Sequence, residues 1–249
     1  CAGLEMADMM AYAASVGSKR AKQRADAIGF IGNASDATAS YFGRETGLGT
    51  MPHAFIGYAG STVEAAKLYS EVYPGEPMTV LIDYFAQEIT DGLAVCRAFP
   101  ELAEQGKLAL RIDTPGGRYL EGLDSYNSYQ LLQQFAPDSI QGYRTEEELS
   151  YLVGPGTSAA AIHKLRKALD DEGFDKVQIV GSSGFGPAKC RMMRVANAPI
   201  DVVGSGSYLP SKWSETYATA DIISYDGVQR VKTGREFLFR DQQRAKVEG

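Results

Sequence analysis

Residues 177–184 read Val177-Gln-Ile-Val-Gly181-Ser-Ser-Gly184, a short apolar run that leads into a loop of glycine and serine. A second stretch of the same kind follows, Ile200-Asp-Val-Val-Gly204-Ser-Gly206. Short apolar runs bounded by glycine or polar residues are typical of strands that are buried on both faces of a parallel sheet. The two stretches therefore predict consecutive parallel strands, each ending in a glycine-serine loop.

The same pattern of apolar runs and helical stretches extends over most of the chain. Together with the two stretches above, the strand-like runs lie at residues 27–31, 53–56, 79–82, 108–112, 177–180 and 200–203. Helical patterns lie between them, at residues 35–44, 61–72, 88–99, 157–172 and 187–196. This alternation predicts βαβ units and a parallel sheet. Six strands favour a closed or nearly closed barrel, and a doubly wound open sheet stays a second possibility because periodicity does not separate the two.

Two parts of the chain depart from this alternation. Residues 121–156 are rich in Ser, Tyr, Gln and Pro, and they predict an insertion after the fourth strand. Residues 221–234 place Asp226-Gly227 between two strand-like runs, which predicts a β-hairpin. We therefore expect an α/β fold with an incomplete TIM-like barrel over residues 1–214. Over residues 215–249 we expect the hairpin and tail of a second, smaller α+β domain.

The composition argues against several classes of partner. The 249 residues carry a net charge of -6, whereas proteins that bind nucleic acid or acidic membranes are usually basic. No apolar run is long enough to cross a bilayer, and no signal peptide opens the chain. Cys1, Cys96 and Cys190 are odd in number and far apart, so we expect a reducing, cytoplasmic location. The first residues read as the middle of a helix, so we expect a fragment or a processed product.

The glycine-serine loops at two consecutive strand ends predict an anion site. In parallel α/β folds, ligands bind at the C-terminal ends of the strands. Glycine lets backbone N–H groups turn toward an anion, and serine adds a hydroxyl donor. Two such loops in register favour a phosphate site over a pair of tight turns, with binding residues Gly181, Ser182, Ser183, Gly184, Gly204, Ser205 and Gly206.

Charged residues follow the two strands before these loops. Arg111 and Asp113 are two positions apart, so their side chains point to the same face of a strand. Arginine suits phosphate or carboxylate, and aspartate suits sugar hydroxyls or a metal ion. The alternative is a buried ion pair that only closes the barrel. Asp83 ends the preceding strand, where an acidic residue is often the N-cap of the next helix.

The two histidines of the chain differ in their setting. His53 follows Pro52 at the start of a predicted strand, where it could be a general base, a phosphate-accepting nucleophile or a plain polar residue. Spacing alone favours the last of these. His163 lies beside Lys164 and Arg166 on a predicted helix, and we interpret it as part of a solvated face without chemistry.

Taken in order, these motifs resemble those of the nicotinate phosphoribosyltransferase family, the type II phosphoribosyltransferases. Each motif is weak alone, but their order is specific and runs over nearly the whole chain. Besides the two glycine-serine loops, the matching stretches are Gly29-Phe-Ile-Gly-Asn-Ala-Ser-Asp36, Gly49-Thr-Met-Pro-His53-Ala-Phe55, Val80-Leu-Ile-Asp83, Leu110-Arg-Ile-Asp113, Tyr225-Asp-Gly227 and Val231-Lys-Thr-Gly-Arg235.

The resemblance implies a reaction and its cofactors. Members of this family condense nicotinate with phosphoribosyl pyrophosphate to give nicotinate mononucleotide and pyrophosphate, in NAD biosynthesis. ATP is a co-substrate that is hydrolysed, and Mg²⁺ accompanies the phosphoribosyl pyrophosphate. The resemblance also implies a homodimer with shared active sites, and it assigns no protein residue as a metal ligand.

The resemblance further implies roles for individual residues. The 5′-phosphate would lie on the two glycine-serine loops, and the ribose near Asp113 with Arg111 beside it. Asp83 joins them as a catalytic candidate, and His53 would be phosphorylated by ATP. Pyrophosphate would face the basic residues of the C-terminal hairpin, Lys232 and Arg235, in the same chain or in a neighbouring subunit. Ser35 and Asp36 depart from the family's turn at that position, which leaves their role open.

The chain also departs from the family as a whole, because it starts after the N-terminal domain that full members have. The choice among nicotinate, nicotinamide and quinolinate therefore rests on resemblance alone. One rival function is another barrel enzyme for a phosphorylated sugar, such as an isomerase or aldolase. The other is a truncated barrel that binds the phosphoribosyl ligand without turnover.

Overall fold

Four parallel strands form the main sheet, and they lie side by side in the order in which they occur in the chain. The computed structural model describes residues 3–208 and 220–239. Within these residues the strands are β1 (Met78–Leu81), β2 (Leu108–Ile112), β3 (Gln178–Gly181) and β4 (Val202–Val203). All three pairings are parallel, with Leu81 opposite Arg111 and Ile112 opposite Gly181. The C-terminal ends of the strands therefore lie along one edge.

The order of the strands separates the two architectures that the sequence left open. A doubly wound sheet reverses its strand order at a switch point, whereas neighbouring strands of a barrel follow the chain. The order β1-β2-β3-β4 is that of an arc of a barrel. The predicted α/β fold with an incomplete TIM-like barrel is thus confirmed, although the described residues contribute four strands to it and not six.

The predicted strand at residues 27–31 was wrong, because these residues form an irregular segment. Ile28 is 81% exposed and Phe30 is 44% exposed, and neither residue belongs to a strand. Gly29 has a positive φ of 70°, which breaks an extended strand. The run is apolar in composition but lacks the burial that makes such a run a central strand.

The predicted strand at residues 53–56 was also wrong, because His53 begins the helix α3 (His53–Ala59). Pro52 precedes the helix in an extended conformation, and Gly60 ends it with a positive φ of 82°. Proline before the first turn and glycine after the last are the usual boundaries of a helix. The run of four residues was too short to distinguish a strand from a helix by periodicity.

Helices connect the strands and cover the sheet. α4 (Thr62–Val72), α5 (Glu88–Ala98), α10 (Ala159–Asp171) and α11 (Pro187–Val195) lie within a residue or two of their predicted bounds. α6 (Pro100–Glu104) leads into β2. Ser158 caps α10 by accepting a hydrogen bond from the Ala161 N–H. His163 on α10 is only 8% exposed, so its predicted place on a solvated face was wrong. Its ring stacks on Phe135, and Nε2 lies 2.9 Å from the Ala196 carbonyl oxygen.

The predicted insertion and the predicted hairpin both occur. Three helices fill the insertion: α7 (Ser125–Phe135), α8 (Pro137–Ile140) and α9 (Glu146–Val153). β5 (Ser224–Tyr225) and β6 (Val228–Gln229) form the hairpin, and both turn residues, Asp226 and Gly227, have positive φ. These conformations match the tight turns that join antiparallel strands. The predicted domain boundary at 214/215 lies outside the described residues.

The described residues fall into two compact units, which we describe separately. The first comprises residues 3–50 with 208 and 220, and it holds α1 (Leu4–Ala25), α2 (Asp36–Ala39) and a 3₁₀ turn (Ser40–Phe42). The single helix predicted at 35–44 is thus shorter and partly 3₁₀. The second comprises residues 51–207 with 221–239 and holds both sheets and the core. Among the described residues, no helix combines the length and the apolar character that crossing a membrane requires.

Candidate active site

The site is built at the C-terminal ends of β1 and β2, where the last apolar residues of each strand are fully buried. Ile82 and Ile112 have no exposed surface, and they fix the backbone that continues into Asp83 and Asp113. Asp83 is completely buried, while the Asp113 side chain keeps 20% of its surface exposed. Burial of this kind places two carboxylates at one strand edge, with Asp113 as the accessible member.

His53 on α3 reaches both carboxylates. Its Nε2 atom lies 3.4 Å from Asp83 Oδ1 and 3.6 Å from Asp113 Oδ2. The structure thus brings together three residues that sequence reasoning had selected separately. Each of the three residues offers one atom that could bind a metal ion, an imidazole nitrogen or a carboxylate oxygen, and these atoms all lie within 4.8 Å of one another.

Lys232 joins this group from the segment after the hairpin. Its Nζ forms an ion pair with Asp83 Oδ2, donates a hydrogen bond to the Asp113 carbonyl oxygen at 2.9 Å, and lies 3.8 Å from Asp113 Oδ2. The lysine is 6% exposed. Arg111 contributes a second cation, with its terminal nitrogen 3.6 Å from Asp113 Oδ2. We call His53, Asp83, Asp113, Arg111 and Lys232 the aspartate cluster.

The charges of the aspartate cluster are balanced inside the chain, since two cations face two carboxylates. Burial alone would raise the pKa of the Asp83 carboxyl, but the contacts with His53 and Lys232 outweigh burial and leave this pKa below its usual value. Asp83 is therefore an ionised buried aspartate. It is not the N-cap of the next helix, because α5 begins at Glu88 after Gln87.

A second buried ion pair contacts the backbone of Asp83, and the sequence analysis did not predict it. Arg118 donates a hydrogen bond to the Asp83 carbonyl oxygen at 2.9 Å and pairs with Glu88 Oε1 at 2.6 Å. Glu88 is fully buried and also accepts a hydrogen bond from the Thr114 hydroxyl. The three residues tie the loop after β2 to the end of β1. Their separation along the chain leaves no local sequence signal for this contact.

The hairpin is fastened to α3 through a glycine. A Cβ atom at Gly57 would collide with the hydroxyl groups of Tyr84 and Tyr225, so only glycine allows this approach. Burial, together with the neighbouring Tyr225 hydroxyl, raises the pKa of the Tyr84 phenol. Arg230 donates a hydrogen bond to the Gly57 carbonyl oxygen. The helix that begins with His53 and the segment that carries Lys232 are therefore packed together.

The two glycine-serine loops lie side by side, as their parallel strands require. The Gly204 N–H donates to the Gly181 carbonyl oxygen at 2.8 Å, and the Ser205 hydroxyl donates to the Phe185 carbonyl oxygen at 3.0 Å. The first loop also reaches the aspartate cluster, because the Ser182 hydroxyl donates to Asp113 Oδ1 at 2.8 Å. The predicted phosphate loops and the predicted sugar-facing acid thus form one continuous surface.

Two further residues lie less centrally, and only the first of them, Arg235, was predicted. Arg235 is 37% exposed and pairs with Asp221 at 3.8 Å, so its described ion pair is outside the aspartate cluster. Lys189, which the sequence analysis did not select, lies against the first glycine-serine loop and donates to the Ser183 carbonyl oxygen at 2.7 Å. A lysine shortly after a glycine-rich loop was the available signal for it.

The arrangement offers three chemical capacities. The first is an imidazole held beside two carboxylates. The second is an accessible carboxylate, Asp113, that can stabilise positive charge on a bound molecule. The third is a pair of adjacent loops whose backbone can face an anion.

Comparison with known proteins finds similarity among solved structures. No family model matches the chain, and no curated protein matches it. Among solved structures, the chain is similar to the crystal structure of nicotinate-nucleotide pyrophosphorylase from Pyrococcus furiosus, at 24% sequence identity and a TM-score of 0.48. The match covers 83% of this chain and 42% of that chain, so this chain spans less than half the length of that protein. A similarity of this degree identifies neither a family nor a substrate, and the family assignment stays a prediction.

Proposed function

We propose that this chain is a nicotinate phosphoribosyltransferase, which condenses nicotinate with phosphoribosyl pyrophosphate to nicotinate mononucleotide and pyrophosphate, on the route to NAD. ATP hydrolysis is coupled to the reaction. One observation carries the proposal: the aspartate cluster and both glycine-serine loops lie together at the C-terminal edge of the parallel sheet. These are the residues that the resemblance assigns to the sugar, to the phosphate and to ATP.

The loops support binding of the 5′-phosphate. Within the described residues, the backbone N–H groups of Ser183 and Gly184 donate no hydrogen bond. Both residues have positive φ angles, 80° and 70°, so the chain turns sharply at these two residues. Successive N–H groups in such a turn bind phosphate oxygens well.

Asp113 supports the chemical step at the sugar. Loss of pyrophosphate leaves positive charge on the ribose, and a preorganised carboxylate stabilises that charge. The Ser182 hydroxyl and Arg111 hold the Asp113 carboxylate from two sides, which limits its movement during the reaction. Lys232 and Arg235 would face the departing pyrophosphate.

Magnesium fits this site as an ion that arrives with the substrate. Mg²⁺ prefers oxygen ligands and usually binds through one or two carboxylates together with substrate phosphates. The partly exposed carboxylate of Asp113 meets that need better than Asp83, which is fully buried and pairs with Lys232. When bound, the ion would neutralise the charge of the leaving pyrophosphate.

Pyrophosphate release tests the proposed function directly. The chain is incubated with phosphoribosyl pyrophosphate, ATP and Mg²⁺, with nicotinate, nicotinamide or quinolinate supplied in parallel. Release that depends on nicotinate supports the proposal. Release with quinolinate and carbon dioxide instead, or with nicotinamide instead, would assign a different pyridine substrate. Binding of phosphoribosyl pyrophosphate without release would reduce the chain to a binding module, and conversion of another sugar phosphate without any release would assign the isomerase or aldolase class.

ATP is proposed to phosphorylate His53 during the cycle. A neutral imidazole is a competent nucleophile near pH 7, and the resulting phosphohistidine is labile enough to be discharged in each turnover. Incubation with γ-labelled ATP should give acid-labile label in the unmodified chain and none in His53→Ala. The chain has only one other histidine, so His163→Gln is the matched control and should keep its label. Equal label in His53→Ala would assign the phosphate to another residue.

The proposed assembly is a cytoplasmic homodimer with shared active sites. Its support is the engagement of the hairpin's basic residues within their own chain. Lys232 pairs with Asp83, Arg235 pairs with Asp221, and Arg230 binds the Gly57 carbonyl oxygen. Pyrophosphate carries more negative charge than these residues leave uncompensated, so a second protomer would complete the site. Sedimentation of a fully active monomer would contradict this.

A further inference from the structure

Lys189 is a buried lysine at the edge of the first glycine-serine loop. It lies in the first turn of α11 and is 7% exposed. Its ammonium group donates to the Ser183 carbonyl oxygen at 2.7 Å and lies 4.5 Å from the centre of the Phe185 ring. The side chain thus reaches back from the helix to the loop that precedes it.

Lys189 carries a positive charge that no carboxylate in the described part of the chain balances. Among the described residues, no carboxylate oxygen lies within the 4.0 Å of an ion pair with its Nζ. An ammonium group has three donors, and the Ser183 carbonyl oxygen takes only one of them. A cation in the first turn of a helix also opposes the helix dipole. A buried, unbalanced cation in this position is costly for the empty protein.

The environment of Lys189 reflects this cost. Burial lowers the pKa of its ammonium group to about 8, and the nearby Asp113 and Cys190 only partly oppose the shift. The lysine also contacts the strained part of the loop, because Ser183 adopts a left-handed φ of 80° that a residue with a side chain rarely adopts. The adjacent Ser182 is the residue that binds Asp113.

We propose that Lys189 binds the phosphate group of the ligand and supplies the positive charge of the site formed by the two glycine-serine loops. This inference rests on the proposed function for the class of ligand, a phosphoribosyl compound. A phosphate on the loop N–H groups lies on the same short segment as the Ser183 carbonyl oxygen. The ammonium group can then keep that carbonyl contact and direct a second donor to a phosphate oxygen.

The geometry favours a ligand contact over a purely structural one. A neutral donor would hold the Ser183 carbonyl oxygen without the cost of burying a charge. Lysine is therefore expected where the charge itself is used, and charge-assisted hydrogen bonds to phosphate are about twice as strong as neutral ones.

The test uses ribose 5-phosphate as the probe, with ribose as the ligand that lacks the phosphate. Binding is measured by calorimetry for the unmodified chain, Lys189→Met, Lys189→Arg and Lys176→Met. Lys176 is the matched control, since it is an exposed lysine at the opposite end of β3. Circular dichroism of each variant confirms that it is folded.

We expect Lys189→Met to bind ribose 5-phosphate about 10- to 100-fold more weakly, which corresponds to the loss of one charged hydrogen bond. Lys189→Arg should stay within a few-fold of the unmodified chain, and Lys176→Met should bind equally well. The affinity of the unmodified chain should fall as ionic strength rises, and it should fall less steeply in Lys189→Met.

Three results would overturn the inference. One is unchanged affinity in Lys189→Met. Another is an equal loss in Lys189→Met and Lys189→Arg, which would make Lys189 a structural support of the loop. The third is the same salt dependence with and without the lysine. If Lys189-dependent binding occurs but pyrophosphate release does not, the proposed reaction fails and the inference stands. If the unmodified chain binds no sugar phosphate, both fail.

Discussion

The aspartate cluster and the first glycine-serine loop, which Lys189 contacts, lie at the ends of neighbouring strands. They differ in how their buried charges are compensated. In the cluster, Asp83 is fully buried and has Lys232 as its counter-ion. At the first glycine-serine loop, Lys189 is 7% exposed, and among the described residues its ammonium group contacts a carbonyl oxygen and aromatic rings but no carboxylate. The first arrangement is complete within the chain and belongs to its architecture. The second leaves positive charge for a ligand, so the two regions differ in whether their buried charge is compensated within the described residues.

The largest effect on this comparison should come from Lys232→Met. Removal of the ammonium group leaves the buried Asp83 carboxylate without its lysine counter-ion, which should lower the free energy of unfolding by about 3–5 kcal/mol. Urea denaturation at pH 7 measures this loss. The double variant Asp83→Asn with Lys232→Met removes both charges and should regain much of the stability. A single variant as stable as the unmodified chain would contradict the role of Lys232 as counter-ion.

The same pair predicts a pH dependence. The pKa of Asp83 is lowered in the folded state, so its contribution to stability is present above its usual pKa of 3.8 and is lost as the pH falls through the lower, folded value. Lys232→Met should raise the folded pKa, because burial then acts with one cation fewer. Acid unfolding should therefore begin at a higher pH in the variant.

Asp113→Ala should distinguish the role of the partly exposed Asp113 from that of the buried Asp83. Turnover should fall on the order of a hundredfold or more, which is the loss expected for one preorganised electrostatic contact. Stability should fall less than in Lys232→Met, since 20% of the Asp113 side chain is exposed whereas Asp83 is fully buried. Pyrophosphate release and urea denaturation on the same preparation measure both effects. A near-normal rate would remove Asp113 from the chemical step.

The smallest effect, and opposite in sign, should be that of Lys189→Met on the empty protein. Removal of an unbalanced buried charge, less the bond to the Ser183 carbonyl oxygen, should raise the free energy of unfolding by about 1 kcal/mol at pH 7. The ammonium pKa is about 8 in the folded chain against an ordinary value of 10.5, so the unmodified chain should gain stability as the pH rises between these values. The advantage of the variant should shrink over that range. A variant that is less stable at pH 7 would show that the charge is compensated.

Local pattern predicted the parts of the molecule that depend on neighbouring residues. The strands at the centre of the sheet, the glycine-serine loops and the shared face of Arg111 and Asp113 all follow from periodicity and from positions two apart. The start of α3 at His53 did not, because four apolar residues after Pro52 fit a strand and a helix equally well. The run at 27–31 resembled a buried strand in composition. Its exposure depends on the fold and could not be inferred from the sequence.

The contacts that complete the site could not be predicted, because they join distant segments. Arg118 with Glu88 and Lys232 with Asp83 are ion pairs between residues far apart in the chain. Lys189 was present in the sequence, but its burial depends on how α11 packs against the loop. Charge balance depends on the folded molecule, so the sequence identified Asp83 and Lys232 as site residues without indicating that they pair.

The position of Lys232 near the end of the described chain has a consequence for biosynthesis. Lys232 and Asp113, whose carbonyl oxygen it binds, are 119 residues apart in the chain. The ribosome therefore completes β1 and β2, which lead into Asp83 and Asp113, well before it adds Lys232. Until then Asp83 lacks its counter-ion, and a nascent barrel would carry an unpaired acid in its interior. The centre would then assemble only after the hairpin leaves the exit tunnel, which delays ligand binding until synthesis has passed Lys232.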